Sequence, residues 1–168
     1  MLDLTDWPAT TATEILPRLW MGGIDDDQYL GEPVGEAHYA FDHPFDVILT
    51  LYGDAMPAPW GVTEVRYGFP DDDIPDRLIT PCLPVAHFGW SAWRAGARVL
   101  VRCQQGVNRS GLVTALVLML DGMAPGEALA LLRASRSPAV LNNPTLERWL
   151  VNEANRYIPL IGQECGNE

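Results

Sequence analysis

The chain has 168 residues and no lysine, since all 11 of its basic residues are arginine. That excludes Schiff-base chemistry on a lysine amine and the phosphate-binding lysine of a nucleotide P-loop. Cysteine is scarce, with three residues at positions 82, 103 and 165. An odd, widely spaced set is no disulfide framework and reads as the reduced thiols of a cytoplasmic protein. The three histidines, His38, His43 and His87, lack the spacing of zinc ligands, and neither a metal nor a cofactor is expected. The longest apolar stretch, Gly111 to Leu120, is about half of a membrane span. The opening Met1-Leu2-Asp3-Leu4-Thr5-Asp6 lacks the basic and apolar regions of a signal peptide. Positive charge is also short, at 11 basic against 22 acidic residues and a net charge of −11. A basic face for nucleic acid or an anionic membrane is therefore not expected.

What is present suits one globular domain. Hydrophobic residues make up 48% and charged residues 20% of the chain. Both values allow a sizeable core. The whole of 1–168 reads as a single domain, with its core at roughly 14–158 and a frayed tail at 162–168. The charge is uneven: 16 acids and two arginines lie in 1–76, six acids and nine arginines in 77–168. A bound anion belongs to the second half.

Along the chain, the first 12 residues read as a loose arm, and Asp25-Asp26-Asp27 as a solvated helix start. Glu14-Ile15-Leu16 and Leu19-Trp20-Met21 flank Pro17, end at Gly22-Gly23, and suggest two short strands with a bend. Residues 31–45 form a surface excursion. Val47 to Tyr52 is apolar and β-rich, as a strand covered on both faces must be, and Val62 to Tyr67 is a weaker strand. Gly68 to Asp76 is a loop rich in proline and aspartate. Leu78 to Trp93 is helical, with Pro81 and Pro84 near its start. Arg98 to Val101 is a central strand, Cys103 to Arg109 a polar loop, and Ser110 to Asp121 a helix apolar on nearly every face. Pro125 opens a further helix through Leu132, and Asn143-Pro144 caps and opens the last. Strands followed by a strand–loop–helix and more helices give an α/β domain: a central, mostly parallel twisted sheet flanked by helices.

The chemistry concentrates in Val99-Leu-Val-Arg-Cys-Gln-Gln-Gly-Val-Asn-Arg-Ser-Gly111. A loop at a helix start turns several backbone N–H groups into one concavity, and the helix dipole adds positive charge there. Gly106 permits a close backbone approach. A cysteine opening such a loop has its thiolate stabilised. The planar fork of Arg109 fits two phosphoryl oxygens, and the Ser110 hydroxyl is placed to donate to the sulfur. Gln104, Gln105, Gly106, Val107, Asn108 and Arg109 are the expected phosphate-binding residues, and Cys103, Arg109, Asp71 and Ser110 the catalytic ones. The acid comes from Gly68-Phe69-Pro70-Asp71-Asp72-Asp73-Ile74-Pro75-Asp76. Asp71 is the first choice, with Asp73 next and Asp72 an alternative.

Cys103-x5-Arg109-Ser110 resembles the signature of the cysteine-dependent protein phosphatases, and the chain most resembles their compact dual-specificity and tyrosine members. Ile15-Leu16-Pro17-Arg18-Leu19-Trp20-Met21-Gly22 is similar to the opening strand pair of the dual-specificity enzymes. Phe69-Pro70-Asp71-x3-Pro75 is similar to their mobile acid loop, where the Asp after Pro is the general acid, a role that falls to Asp71. The resemblance covers roughly residues 14–158. It implies metal-independent phosphomonoester hydrolysis through a phosphocysteine on Cys103, foremost on protein phosphotyrosine, with phosphoserine and phosphothreonine as further substrates. One departure stands out. Arg102 occupies the place of the family's His before the nucleophile, which orders the loop and tunes the thiolate. Arg102 would favour the thiolate electrostatically.

Two other readings stay open: a weak or inactive phosphatase-fold module that binds phosphorylated ligands, and a phosphatase for a small non-protein phosphate metabolite. A thiol reductase or sulfur transferase is more distant. The neutral loop residues Gln104, Gln105, Val107 and Asn108 suit a phosphomonoester better than a highly charged phosphate. Cys82 and Cys165 read as ordinary thiols, with Cys82 a secondary candidate for trapping oxidised Cys103. Trp60, in a Pro-Gly loop, is the candidate for a pocket wall.

Overall fold

The structure is a computed structural model that describes residues 6–8, 12–24 and 44–159. Most of the expected arm, Asp25-Asp26-Asp27, the excursion at 31–43 with His38 and His43, and the tail with Cys165 lie outside the described residues.

Among the described residues five strands form one sheet: β1 (Ala12–Leu16), β2 (Leu19–Gly22), β3 (Val47–Thr50), β4 (Thr63–Arg66) and β5 (Val99–Arg102), in the order β1-β2-β5-β3-β4. β1 and β2 pair antiparallel across a turn in which Arg18 takes φ 70°. The other three pairings are parallel. β3 and β5 are buried along their whole length, which explains why both are written in nearly continuous apolar residues.

Parallel register places Gly22, Arg102, Thr50 and Arg66 in one row across four strands. Alternation puts neighbouring residues on opposite faces. Leu19, Met21, Val47, Leu49, Val99, Val101 and Cys103 enter the large core, whereas Ile48 and Leu100 join Phe45 in a smaller cluster on the other face.

The helices are α1 (Asp76–Ile79), α2 (Cys82–Arg94), α3 (Arg109–Leu120), α4 (Pro125–Ser135) and α5 (Pro144–Asn152), followed by a 3₁₀ turn at Ala154–Arg156. The single helix expected over Leu78–Trp93 is thus two. Pro81 has no N–H to continue α1 and serves instead as the residue before α2, while Pro84 sits in the first turn of α2, where a missing N–H costs nothing.

α3 is buried from Arg109 to Met119 on all sides, so apolar residues around its whole circumference are required. It stops at Gly122, φ 101°, where Gly122 N bonds Met119 O at 3.0 Å and Met123 N bonds Leu118 O at 3.1 Å. That is the double closure a glycine in the left-handed region allows. α2, α4 and α5 add Val85, Leu132, Leu146 and Trp149, among others, to the same core. None of the helices among the described residues is long and apolar enough to cross a membrane.

Candidate active site

The central strand β5 carries Cys103 to its carboxyl end, the position at which open α/β sheets present their ligand sites. Cys103 N donates to Gly22 O at 3.2 Å, continuing the pairing with β2. The side chain is 1% exposed, and its Sγ lies 3.3 Å from Ser110 Oγ. From here the chain loops through residues 104–108 into α3.

The polar groups of this loop are divided by type. Four of its five carbonyls are held from outside: Gln104 O by Ile24 N at 3.0 Å, Gly106 O by Arg136 Nε at 2.6 Å, Val107 O by Leu141 N at 3.3 Å and Asn108 O by Leu112 N at 2.8 Å. Among the described residues, no protein acceptor meets the backbone N–H groups from Gln104 to Arg109. A segment whose carbonyls are mostly tied and whose amides are spare, at the start of a helix, has the electrostatics of an anion nest.

Two glycines make the geometry fit. Gly106 takes φ 67°, and a Cβ there would lie 2.5 Å from Gly22 C and 2.6 Å from Gly23 N. A Cβ on Gly23 would meet Gln104 O at 2.9 Å. The pair Gly22-Gly23 marks the end of a strand in the sequence, and in the structure it also lets the cysteine loop lie on the end of β2.

Arg109 is 6% exposed. Its Nη1 donates to Phe69 O at 3.1 Å, its Cζ sits 5.1 Å from the centre of the Tyr52 ring, and its Nε is buried with no partner among the described residues. The guanidinium is therefore packed under the acid loop, stacked on an aromatic face, with hydrogen-bonding capacity left over.

The acid loop is braced at both ends. Tyr67 stacks on Phe69 at 5.6 Å and donates its hydroxyl to Leu78 O at 2.8 Å. In between, Asp71 Oδ2 accepts from Asn108 Nδ2 at 3.1 Å and Asp71 Oδ1 from Asn143 Nδ2 at 2.8 Å. Asp73 Oδ1 accepts from Thr145 Oγ1 at 2.7 Å, and Asp72 Oδ1 from Asp73 N at 2.8 Å. Asp71, Asp72, Asp73, Asn108, Asn143, Pro144 and Thr145 line an open cleft of about 350 Å³. Cys103 is not part of that lining.

Arg102 departs from the sequence expectation. Strand alternation sends it to the sheet face opposite Cys103, where it is fully buried. Its Nε donates to Thr50 Oγ1 at 2.8 Å, and its Nη2 donates to Met56 O at 2.6 Å and Glu64 Oε1 at 3.0 Å. Burial pulls the guanidinium below its ordinary pKa, with Glu64 opposing. Burial alone would raise the Glu64 carboxyl, but the Thr50 hydroxyl, the Ala58 amide, Arg102 and nearby Arg66 together hold it below its ordinary value. A charge met by Glu64 across the sheet ties β5 to β3 and β4, and among the described residues it makes no hydrogen bond to the sulfur.

The structure thus gathers Cys103, Arg109 and Ser110 at one loop and brings Asp71 to that loop's last residues through Asn108. The Asn108 side chain is engaged with Asp71, which leaves its backbone amide as its contribution to the nest. Gln104 and Gln105 are exposed. Trp60 is 94% exposed on the connection between β3 and β4, so the expected pocket wall is not found there. Cys82 and Cys103 are free thiols, and burial pushes the Cys82 thiol far above its ordinary pKa, which disfavours the thiolate needed to trap a partner sulfur. Sequence reasoning missed Tyr52, Arg136 and the second role of Asn143. The signal for Asn143 was present, since a helix-capping asparagine uses only its oxygen and keeps a free amide.

No family model matches the sequence, nor does any curated protein. Solved structures do match. Human DUSP28 is 23% identical with a TM-score of 0.70, covering 92% of this chain and 98% of its own. Tk-PTP in its active form is 24% identical with a TM-score of 0.67, covering 88% and 98%. OH1 of the Orf virus, a tyrosine phosphatase with triple substrate specificity, is 19% identical with a TM-score of 0.66, covering 86% of each chain. The likeness is one of fold, and the chain has the fold of the compact cysteine-dependent phosphatases.

Proposed function

We propose that the protein hydrolyses phosphomonoesters, with protein phosphotyrosine the foremost substrate class and phosphoserine or phosphothreonine further substrates. The carrying observation is the division of the loop's polar groups: mostly tied carbonyls and spare amides beside a buried cysteine and a buried arginine with unused donors. Such a ring would hold the three non-bridging oxygens of a phosphoryl group over the sulfur. The Cys103 thiolate attacks phosphorus, the ester oxygen departs with a proton from Asp71, and a phosphocysteine forms. Water, deprotonated by Asp71, then attacks phosphorus. The S–P bond breaks, inorganic phosphate leaves and the thiolate returns, aided by the Ser110 hydroxyl. Neither step calls for a metal. The phosphatase fold and the tyrosine phosphatase among the similar structures support this reading.

The test is hydrolysis of an aryl phosphate in chelator, then of phosphopeptides and small phosphate metabolites. Wild-type turnover that vanishes in Cys103→Ser supports the proposal. Turnover that survives Cys103→Ser, or phosphopeptide binding without any turnover, would defeat it.

A further inference from the structure

We infer that Asn143 is a positioning residue for the acid, holding Asp71 in place over the cysteine loop from the start of α5. The inference rests on the phosphatase reading above.

Asn143 splits its amide between two tasks. Its Oδ1 accepts from Thr145 N at 3.0 Å and Leu146 N at 3.3 Å, which caps α5. Its Nδ2 therefore points away from the helix and donates to Asp71 Oδ1 at 2.8 Å and to Asp72 O at 3.3 Å. The cap fixes the rotamer, and the fixed rotamer aims the donor at the acid loop. Asn143 N also donates to Asn108 Oδ1 at 3.0 Å, while Asn108 Nδ2 holds the other oxygen of Asp71. Asn108 directly precedes Arg109, so the chain Asn143–Asn108–Asp71 locks three elements together: the cysteine loop, the acid loop and α5. Each Asp71 oxygen accepts one bond from an asparagine and keeps a second lone-pair site, where a proton can pass to a leaving group or be taken from water. Asp71 is exposed. Without these donors its carboxyl would be free to turn into solvent.

The consequence is specific to the leaving group. A mispositioned general acid harms esters whose alcohol leaves poorly and spares those whose phenol leaves unaided. Asn143→Asp and Asn143→Ser both retain an oxygen that caps α5, and both remove the amide donor. Wild type and both variants are compared on an alkyl phosphate and a nitro-substituted aryl phosphate, with melting temperature and amide hydrogen exchange of residues 68–76 measured alongside. We expect near-wild-type melting temperatures, a loss of tenfold or more in kcat/KM on the alkyl ester, a several-fold smaller loss on the aryl ester, and faster exchange in the acid loop. Equal losses on both esters, or unchanged exchange, would overturn the positioning role. A wild type that hydrolyses neither ester removes the phosphatase reading instead, and the exchange comparison still decides whether Asn143 holds the loop.

Discussion

Arg102 and Glu64 form an ion pair, Nη2 to Oε1 at 3.0 Å, on the face of the sheet that Cys103 does not see. The arginine side chain is 0% exposed and the glutamate 13%. Thr50 completes the unit, accepting from Arg102 Nε and donating to Glu64 Oε1. Three adjacent strands are thereby cross-linked through the residue that directly precedes the nucleophile.

The two ends of this pair should not be equivalent. Glu64→Ala strands a buried guanidinium whose Nη1 already has no partner among the described residues, and is expected to destabilise the fold by about 3 kcal/mol or more. Arg102→Met removes the buried charge, and the glutamate it leaves behind still reaches Arg66 at 3.0 Å and the Ala58 amide at 3.1 Å. Its cost should be smaller, about 1–2 kcal/mol. Urea denaturation of the two variants gives the order directly, and the reverse order would contradict the burial assigned to Arg102.

The same carboxylate predicts an acid-side loss of stability. The Glu64 carboxyl sits below its ordinary value of 4.5 in the folded chain. A depressed acid contributes stability that is present above its unfolded value and lost as pH falls through its folded one. Wild type should therefore lose stability progressively as the solution is acidified below about pH 4.5, and Glu64→Gln should show a shallower decline over the same window. Denaturant midpoints taken across that window for both proteins test this, and parallel curves would place the acid sensitivity elsewhere.

Two glycines of similar appearance in the sequence should respond oppositely to alanine. At Gly106 the backbone is left-handed, and the added methyl would lie within 2.6 Å of the Gly22 and Gly23 backbone, which cannot yield as a flexible side chain does. Gly106→Ala is expected to cost about 2–4 kcal/mol and to abolish aryl phosphate hydrolysis. At Gly126, in the first turn of α4, an added Cβ would meet nothing within 4 Å among the described residues. Gly126→Ala is expected to stabilise by about 0.4–1 kcal/mol without touching turnover. Thermal melts and an activity assay on both variants separate the cases.

That contrast also shows what was legible beforehand. The order of strands and helices followed from periodicity, from Pro125 and Asn143 as helix openers and from Gly122 as a stop. The cysteine loop announced itself because its whole constellation is contiguous in sequence. Long-range relationships were not legible. Tyr52 beneath Arg109 links residues 57 positions apart, and nothing about a tyrosine at a strand end names the arginine it will meet. Arg102 was misjudged for a related reason. Adjacency to Cys103 in sequence suggests adjacency in space, but successive strand residues face opposite ways, so the nearest neighbour in the chain is the one whose side chain is turned from the sulfur.

Ser110 Oγ lies 3.3 Å from the sulfur. In the proposed attack on phosphorus the sulfur is the nucleophile, and a hydroxyl that donates to it gives it little help. In the second step the sulfur becomes the leaving group and gains negative charge as the S–P bond breaks, so a donor at that distance stabilises the transition state. A hydrogen bond to a charged group contributes about 1.5–3 kcal/mol, which corresponds to roughly tenfold to a hundredfold in rate. Ser110→Ala should thus lower kcat by about that factor and kcat/KM much less, because only the first step is included in kcat/KM when phosphoenzyme formation is irreversible. Rapid mixing with an aryl phosphate should reveal a burst of phenol approaching one equivalent per enzyme, followed by slow turnover. A linear trace in which kcat and kcat/KM fall together would place the hydroxyl's contribution in the first step instead.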